Sequence, residues 1–166
     1  LDGPVSFKVK PLHKNSLPGS SVDAVSNFWR SFENTSKAAS KFDLDLSRSL
    51  KRVKAMQIAV SRSSLAPGTV DNELESLMRD LQDLSSHYYG NPAKGEIGEK
   101  GRPTVEERMF AVYRGIERAT YGPTPQHSTQ LEIVKKELNS ANAKLNSVQQ
   151  KLDVIYKKLQ AAGAPY

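Results

Sequence analysis

Leu131-Glu132-Ile133-Val134-Lys135-Lys136-Glu137-Leu138 opens a stretch in which apolar residues recur as Leu131, Val134, Leu138, Ala141, Leu145, Val148, Leu152, Ile155 and Leu159. The spacing alternates three and four over four heptads. Such a repeat places one continuous apolar seam on a long helix, because residues three and four apart stack on one face. Something must cover that seam, and its source decides the fold. Leu at one core position with β-branched residues at part of the other would suit a parallel leucine zipper between two copies. The flanking positions, however, are largely neutral (Asn139, Ser140, Asn146, Ser147), whereas zippers use opposed charges there. Ile133 and Val154 are expected to broaden the stripe beyond two positions, as burial inside a bundle requires. Cover by the same chain is the favoured reading, and a monomeric bundle follows from it.

Working back from the seam, residues 20–66 contain neither Gly nor Pro and read as one helix over about 21–64. Its apolar face runs through Val22, Val25, Trp29, Phe32, Ala39, Phe42, Leu46, Leu50, Val53 and Val60, widened by Phe28, Met56 and Ile58. The seam thins to Ser and Ala between Phe32 and Phe42, where a kink or a close helix approach is expected. Pro67-Gly68 stops this helix. A second helix, about 69–88, shows Val70, Leu74, Leu77, Leu81, Leu84 and Tyr88 on one face. It carries five Asp and Glu against one Arg, while residues 21–64 carry eight Lys and Arg against four acids. A short turn makes the two antiparallel neighbours, so their charges are expected to pair.

The segment 89–103 is polar and glycine-rich and reads as a solvated loop. Its Lys94, Glu96, Glu99, Lys100 and Arg102 are the candidate residues of a functional loop, although no phosphate-loop pattern accompanies them. Thr104 and Glu107 fit a capping box for a third helix with Val105, Met109, Val112, Ile116 and Ala119, ending at Tyr121-Gly122-Pro123. Thr124 as N-cap and Pro125 at the first helical position start the seam helix, which Gly163 ends. At the amino end, Val5, Phe7 and Val9 alternate with polar residues, the period of a half-buried strand. Either this segment packs as an extended arm or it is the last strand of a β domain.

The resulting expectation is an all-α, elongated antiparallel bundle of two long and two shorter helices, with residues 1–20 as arm or strand and 21–166 as bundle. The short pair either lies end to end against the long pair or forms a hairpin over it.

Function is sparsely written. Cysteine is absent, which removes thiolate metal sites and Cys nucleophiles. A carboxylate-bridged metal bundle needs Glu-x-x-His pairs, and none occurs. His13, His87 and His127 are scattered, so no catalytic residue, metal or cofactor is expected. The formal charge of +6 invites a nucleic-acid reading through Arg48, Lys51, Arg52 and Lys54 or Lys135, Lys136, Lys157 and Lys158. These clusters lack interleaved aromatics and any recognised motif, so a solvated or paired helix face is preferred. No run approaches the roughly 18 apolar residues of a membrane span.

Tyr121-Gly122-Pro123-Thr124-Pro125-Gln126-His127, together with Leu159-Gln160-Ala161-Ala162-Gly163-Ala164-Pro165-Tyr166, resembles the closing region of large bacterial sortilin-like proteins with Asp-box β-propeller repeats, often labelled glycosyl hydrolases. Pro103-Thr104-Val105 and Val112-Tyr113-Arg114-Gly115-Ile116 resemble the penultimate helix of that family, in which a propeller and a strand-rich segment precede a helical tail. The Val5–Val9 strand and the turn at Pro67-Gly68 sit where the family would place them. The Asp-box repeats themselves are missing, so no hydrolase residue can be transferred. The resemblance implies a noncatalytic C-terminal module of an exported protein, periplasmic, secreted or on the cell surface, docking on its own propeller or on a protein partner. The alternative is a stand-alone adaptor that self-associates through Leu131–Leu159.

Overall fold

The computed structural model describes residues 3–10, 18–65, 68, 70–99 and 101–164. Among these, five helices follow one another: α1 (Val22–Ser61), α2 (Val70–Tyr89), α3 (Pro92–Glu96), α4 (Val105–Glu117) and α5 (Pro125–Ala161). The fold is an all-α bundle. Pro67, Thr69, His13 and Lys100 lie outside the described residues. Gly68 is described, takes a φ of +100° that favours glycine, and sits at the entry of α2, where its N–H donates to the Asp71 carboxylate, rather than at the end of α1, which stops at Ser61.

Each boundary has a local cause. Ser21 accepts a hydrogen bond from the Ala24 N–H at 3.2 Å and so caps α1. Thr104 and Glu107 form the reciprocal capping box of α4, at 3.1 and 2.8 Å. Thr124 caps α5 in the same way with His127 as the returning partner, whose Nδ1 accepts from the Thr124 N–H at 3.2 Å. At the far end, Gly163 sits at φ +66° and the Ala164 N–H reaches back to the Leu159 carbonyl at 3.0 Å, closing the last turn.

Every residue of the α5 seam from Leu131 to Leu159 is buried. Its cover comes from the same chain. A main core joins the seam from Val134 onward to Phe42, Leu46, Val53 and Met56 of α1, and to Leu74, Leu77, Leu81 and Leu84 of α2. A second, smaller core holds Leu131 with Phe28 of α1 and with Val112 and Ile116 of α4. The short helices therefore lie end to end: α2 covers the later half of α1, and α4 covers its first half.

Contacts across the helices fix their directions. Gln149 bonds Ser49 at 3.3 Å and Asp153 pairs with Arg52 at 2.7 Å, so one turn forward along α1 matches one turn forward along α5 and the two long helices run parallel. The Tyr88 hydroxyl lies 3.4 Å from the Ala39 carbonyl, while Glu73 meets Lys158 at 2.9 Å. Thus α2 runs against both long helices, and α4 continues in the direction of α2. The result is a bundle of three struts, α1, α5 and one made of α2 and α4 in succession. At its lower end the Ser20 N–H donates to the Tyr121 carbonyl at 2.8 Å, tying the entry of α1 to the turn before α5.

Several expectations need correction. Residues 3–10 form neither strand nor helix, and Val5, Phe7 and Val9 are 81%, 84% and 75% exposed rather than half-buried along the helices. Val22, Ile58 and Val154 also face solvent, because each lies outside the arc that the neighbouring helices cover. Helix α1 is continuous through residues 34–40. There the Thr35 hydroxyl donates to the Ser31 carbonyl at 2.8 Å, and small Ala39 lets Tyr88 approach the backbone, so close approach takes the place of a kink. Helix α4 stops at Glu117, short of Tyr121. The polar loop contains the one-turn α3, capped by Asn91, with Pro92 at its start.

Candidate functional site

The sequence offered two groups as candidates, the seam and the loop. The seam residues Leu131, Val134, Leu138, Leu145, Val148, Leu152, Ile155 and Leu159 are brought together as core and present no surface. In the loop, Lys94, Glu96, Glu99 and Arg102 are exposed, and Lys94 pairs with Glu99 at 3.1 Å. That contact closes the turn around α3: the Glu99 N–H also reaches the Lys94 carbonyl at 3.0 Å. Among the described residues, Lys94, Glu96, Glu99 and Arg102 do not line the groove between α2 and α5.

A groove of about 700 Å³ lies between α2 and α5. Leu84, Ala141 and Val148 form its floor. Asp80, Asp83 and His87 stand on the α2 wall, and Lys136, Lys144 and Lys151 on the α5 wall. The walls have opposite charge, set by the acidic composition of α2 and the basic composition of α5. The expected pairing of α2 with α1 is replaced by this arrangement: Glu73 of α2 binds Lys158 of α5, while Lys41 and Arg48 of α1 pair with Asp45 in their own helix. Among the described residues no group of three or more His, Asp or Glu could hold a metal ion.

Polar groups cluster at two other places. At the junction of α4 and α5, Arg108 donates to Gln130 and approaches Glu137 to 3.8 Å. The Arg108 Nε and Glu137 Oε2 are buried, and neither makes a hydrogen bond. At the end of α2, the Tyr89 hydroxyl donates to Asp43, and Tyr88 packs on Phe42 with ring centres 5.4 Å apart. Burial pushes the ionisation of Tyr88 up, and the carboxylates of Asp43 and Glu106 add to the effect. Tyr89 is raised further by desolvation and by its bond to Asp43. These phenols remain protonated and act as hydrogen-bond donors, which makes them structural ties between α1 and α2.

Where α4 meets the first half of α1, Trp29 and Phe32 of α1 and Tyr113 of α4 form a partly exposed aromatic group with centres 5.7 to 6.2 Å apart. Trp29 and Phe32 pack against the smaller core, so their first role is covering Phe28 and Val112. Sequence reasoning placed Trp29 and Phe32 correctly but missed Tyr113, whose position depends on how α4 docks. Among the described residues no helix is long and apolar enough to cross a membrane. No protein-family model, curated protein or solved structure matches the chain.

Proposed function

We propose that this chain is a noncatalytic helical interaction module, the C-terminal part of a larger exported sortilin-like β-propeller protein that docks on its propeller or on a cell-surface protein. One observation carries the reading. The bundle satisfies its own apolar seam, yet Pro4–Lys10 holds out three large apolar side chains in alternation with Ser6, Lys8 and Lys10, none of which has a place in the bundle. Alternation of this kind is the pattern of a strand with one face on a core. A two-stranded pairing is marginal in water, so the strand requires a sheet of at least three strands to hold it. That favours a β domain as the neighbour over a second copy of the arm.

The test is amide hydrogen exchange on the native full-length gene product, compared with the 166-residue chain alone. Amides of residues 5–10 should exchange slowly in the full-length protein and quickly in the isolated chain. Fast exchange of these amides in both, or a gene product with no β domain, overturns the proposal.

A further inference from the structure

The α1 helix carries an outward face that no other element uses. Arg30, Lys37, Leu44, Lys51 and Ile58 recur every seven residues, and beside them runs a second row, Lys41, Arg48, Ala55 and Arg62, with the same step. On a helix of 3.6 residues per turn two such rows form one ridge, here about 48 Å long from Arg30 to Arg62. All the cations on it are exposed, and Glu33 and Asp45 are acids that border it. Lys41 and Arg48 share Asp45. No ion pair engages Arg30, Lys37, Lys51 or Arg62 among the described residues. The face stays basic because α2 directs its Glu73 to α5 rather than to α1.

Two large aliphatic side chains stand in the middle of this charge. Leu44 is 50% exposed and Ile58 52% exposed, in line with Lys37 and Lys51 on the same edge. Core formation accounts for neither, since the core side of α1 is occupied by Phe42, Leu46, Val53 and Met56. We infer that this ridge is a docking face for an anionic lipid surface, with the cations lying at the headgroups and Leu44 and Ile58 reaching into the interface beneath them. Charge complementarity selects an anionic partner, and the two aliphatics select a bilayer over a nucleic acid. A duplex would set Leu44 and Ile58 against phosphates, and the ridge has no aromatic side chain on which bases could stack. The inference is independent of the module's parent protein.

The test is co-sedimentation of the whole chain with vesicles of phosphatidylcholine, with and without 30 mol% phosphatidylglycerol, beside a 20-base-pair duplex as competing polyanion. Binding to the anionic vesicles alone is expected, weakening as salt rises. Lys37→Gln, Arg48→Gln and Lys51→Gln together should lower partitioning about 100-fold, since each basic side chain near such a surface contributes roughly fivefold. Leu44→Ser with Ile58→Ser should lower it about tenfold. Lys136→Gln, Lys144→Gln and Lys151→Gln remove the same charge from α5 and should leave it unchanged. All these positions are exposed or line the open groove, and unaltered far-ultraviolet dichroism shows that each variant is folded. Failure to bind anionic vesicles at low salt overturns the inference. So does an equal loss from the α5 variant, or tighter binding to the duplex with no effect of the Leu44 and Ile58 changes.

Discussion

Gln149 donates to the hydroxyl of Ser49 at 3.3 Å, across a sequence separation of 100 residues. Ser49 in turn donates to the Asp45 carbonyl at 2.8 Å, so a polar link sits between the two longest helices on the border of their shared core. The relationship establishes that α1 and α5 run side by side in the same direction. A parallel pair in one chain needs a return path as long as itself, and α2 and α4 in succession supply it. The two cores meet within α4, at Met109, which packs against both.

The seam is expected to dominate stability. Leu145→Ala and Leu152→Ala each remove a fully buried side chain and should cost about 2–5 kcal/mol in chemical denaturation. Val154→Ala, at 54% exposure, should cost less than about 0.5 kcal/mol. Equal effects at Leu152 and Val154 would mean that the seam is not covered as described.

Gly115 is fixed by the docking of α4 on the start of α5. A Cβ there would stand 2.3 Å from the His127 Nε2, and the imidazole is itself held by the cap at Thr124. Gly115→Ala should therefore destabilise by about 1–3 kcal/mol despite the better helix propensity of Ala. In the background of His127→Ala the same change should become neutral or stabilising. A double-mutant cycle by urea denaturation measures this coupling.

Arg108 and Glu137 form a partly buried, imperfect pair at 3.8 Å. Replacing Arg108 by Met leaves the Glu137 carboxylate without a cation at a largely enclosed position, and should cost about 1–3 kcal/mol at neutral pH. Adding Glu137→Leu should recover most of that loss, because it removes the remaining unsatisfied atom. Thermal melts of the single and double variants at one pH decide it.

Tyr88 and Tyr89 both ionise above the ordinary tyrosine value of 10.0, chiefly through burial and the proximity of Asp43. The folded state therefore holds these protons more tightly than the unfolded state. The stability these two protons contribute is fully present below pH 10 and falls as pH rises from there through the elevated values. Spectrophotometric titration should show tyrosines ionising together with loss of helix. Tyr89→Phe should move the alkaline unfolding midpoint upward once its cost at neutral pH is subtracted.

The seam residues were readable from the sequence because a heptad depends only on spacing within one helix. The caps at Thr104 and Thr124 were readable for the same reason: donor and acceptor lie three residues apart. Relations between helices were less legible. Net charges suggested that basic α1 would pair with acidic α2, but charge sums do not specify rotation about the helix axis, and Glu73 turns toward Lys158 instead. Ile58 and Val154 had the right polarity for the core and the wrong angular position. Tyr113 and the Gly115–His127 contact depend on where α4 docks, which no local pattern encodes. Within the loop, Asn91-Pro92 carried a cap-and-start signal that the surrounding glycines obscured.

The central claim is that α5 lies parallel to α1 within one molecule, and paired spin labels test it most directly, since the chain has no native cysteine. Labels at Lys37→Cys with Asn139→Cys, and at Lys54→Cys with Val154→Cys, should both give short distances. Lys37→Cys with Val154→Cys should be distinctly longer, because 17 residues of helix rise put the levels of Lys37 and Lys54 about 25 Å apart along the axis. Unchanged distances on dilution with unlabelled protein would place both labels in one chain. A short Lys37–Val154 distance, or loss of the short distances on dilution, would contradict the account.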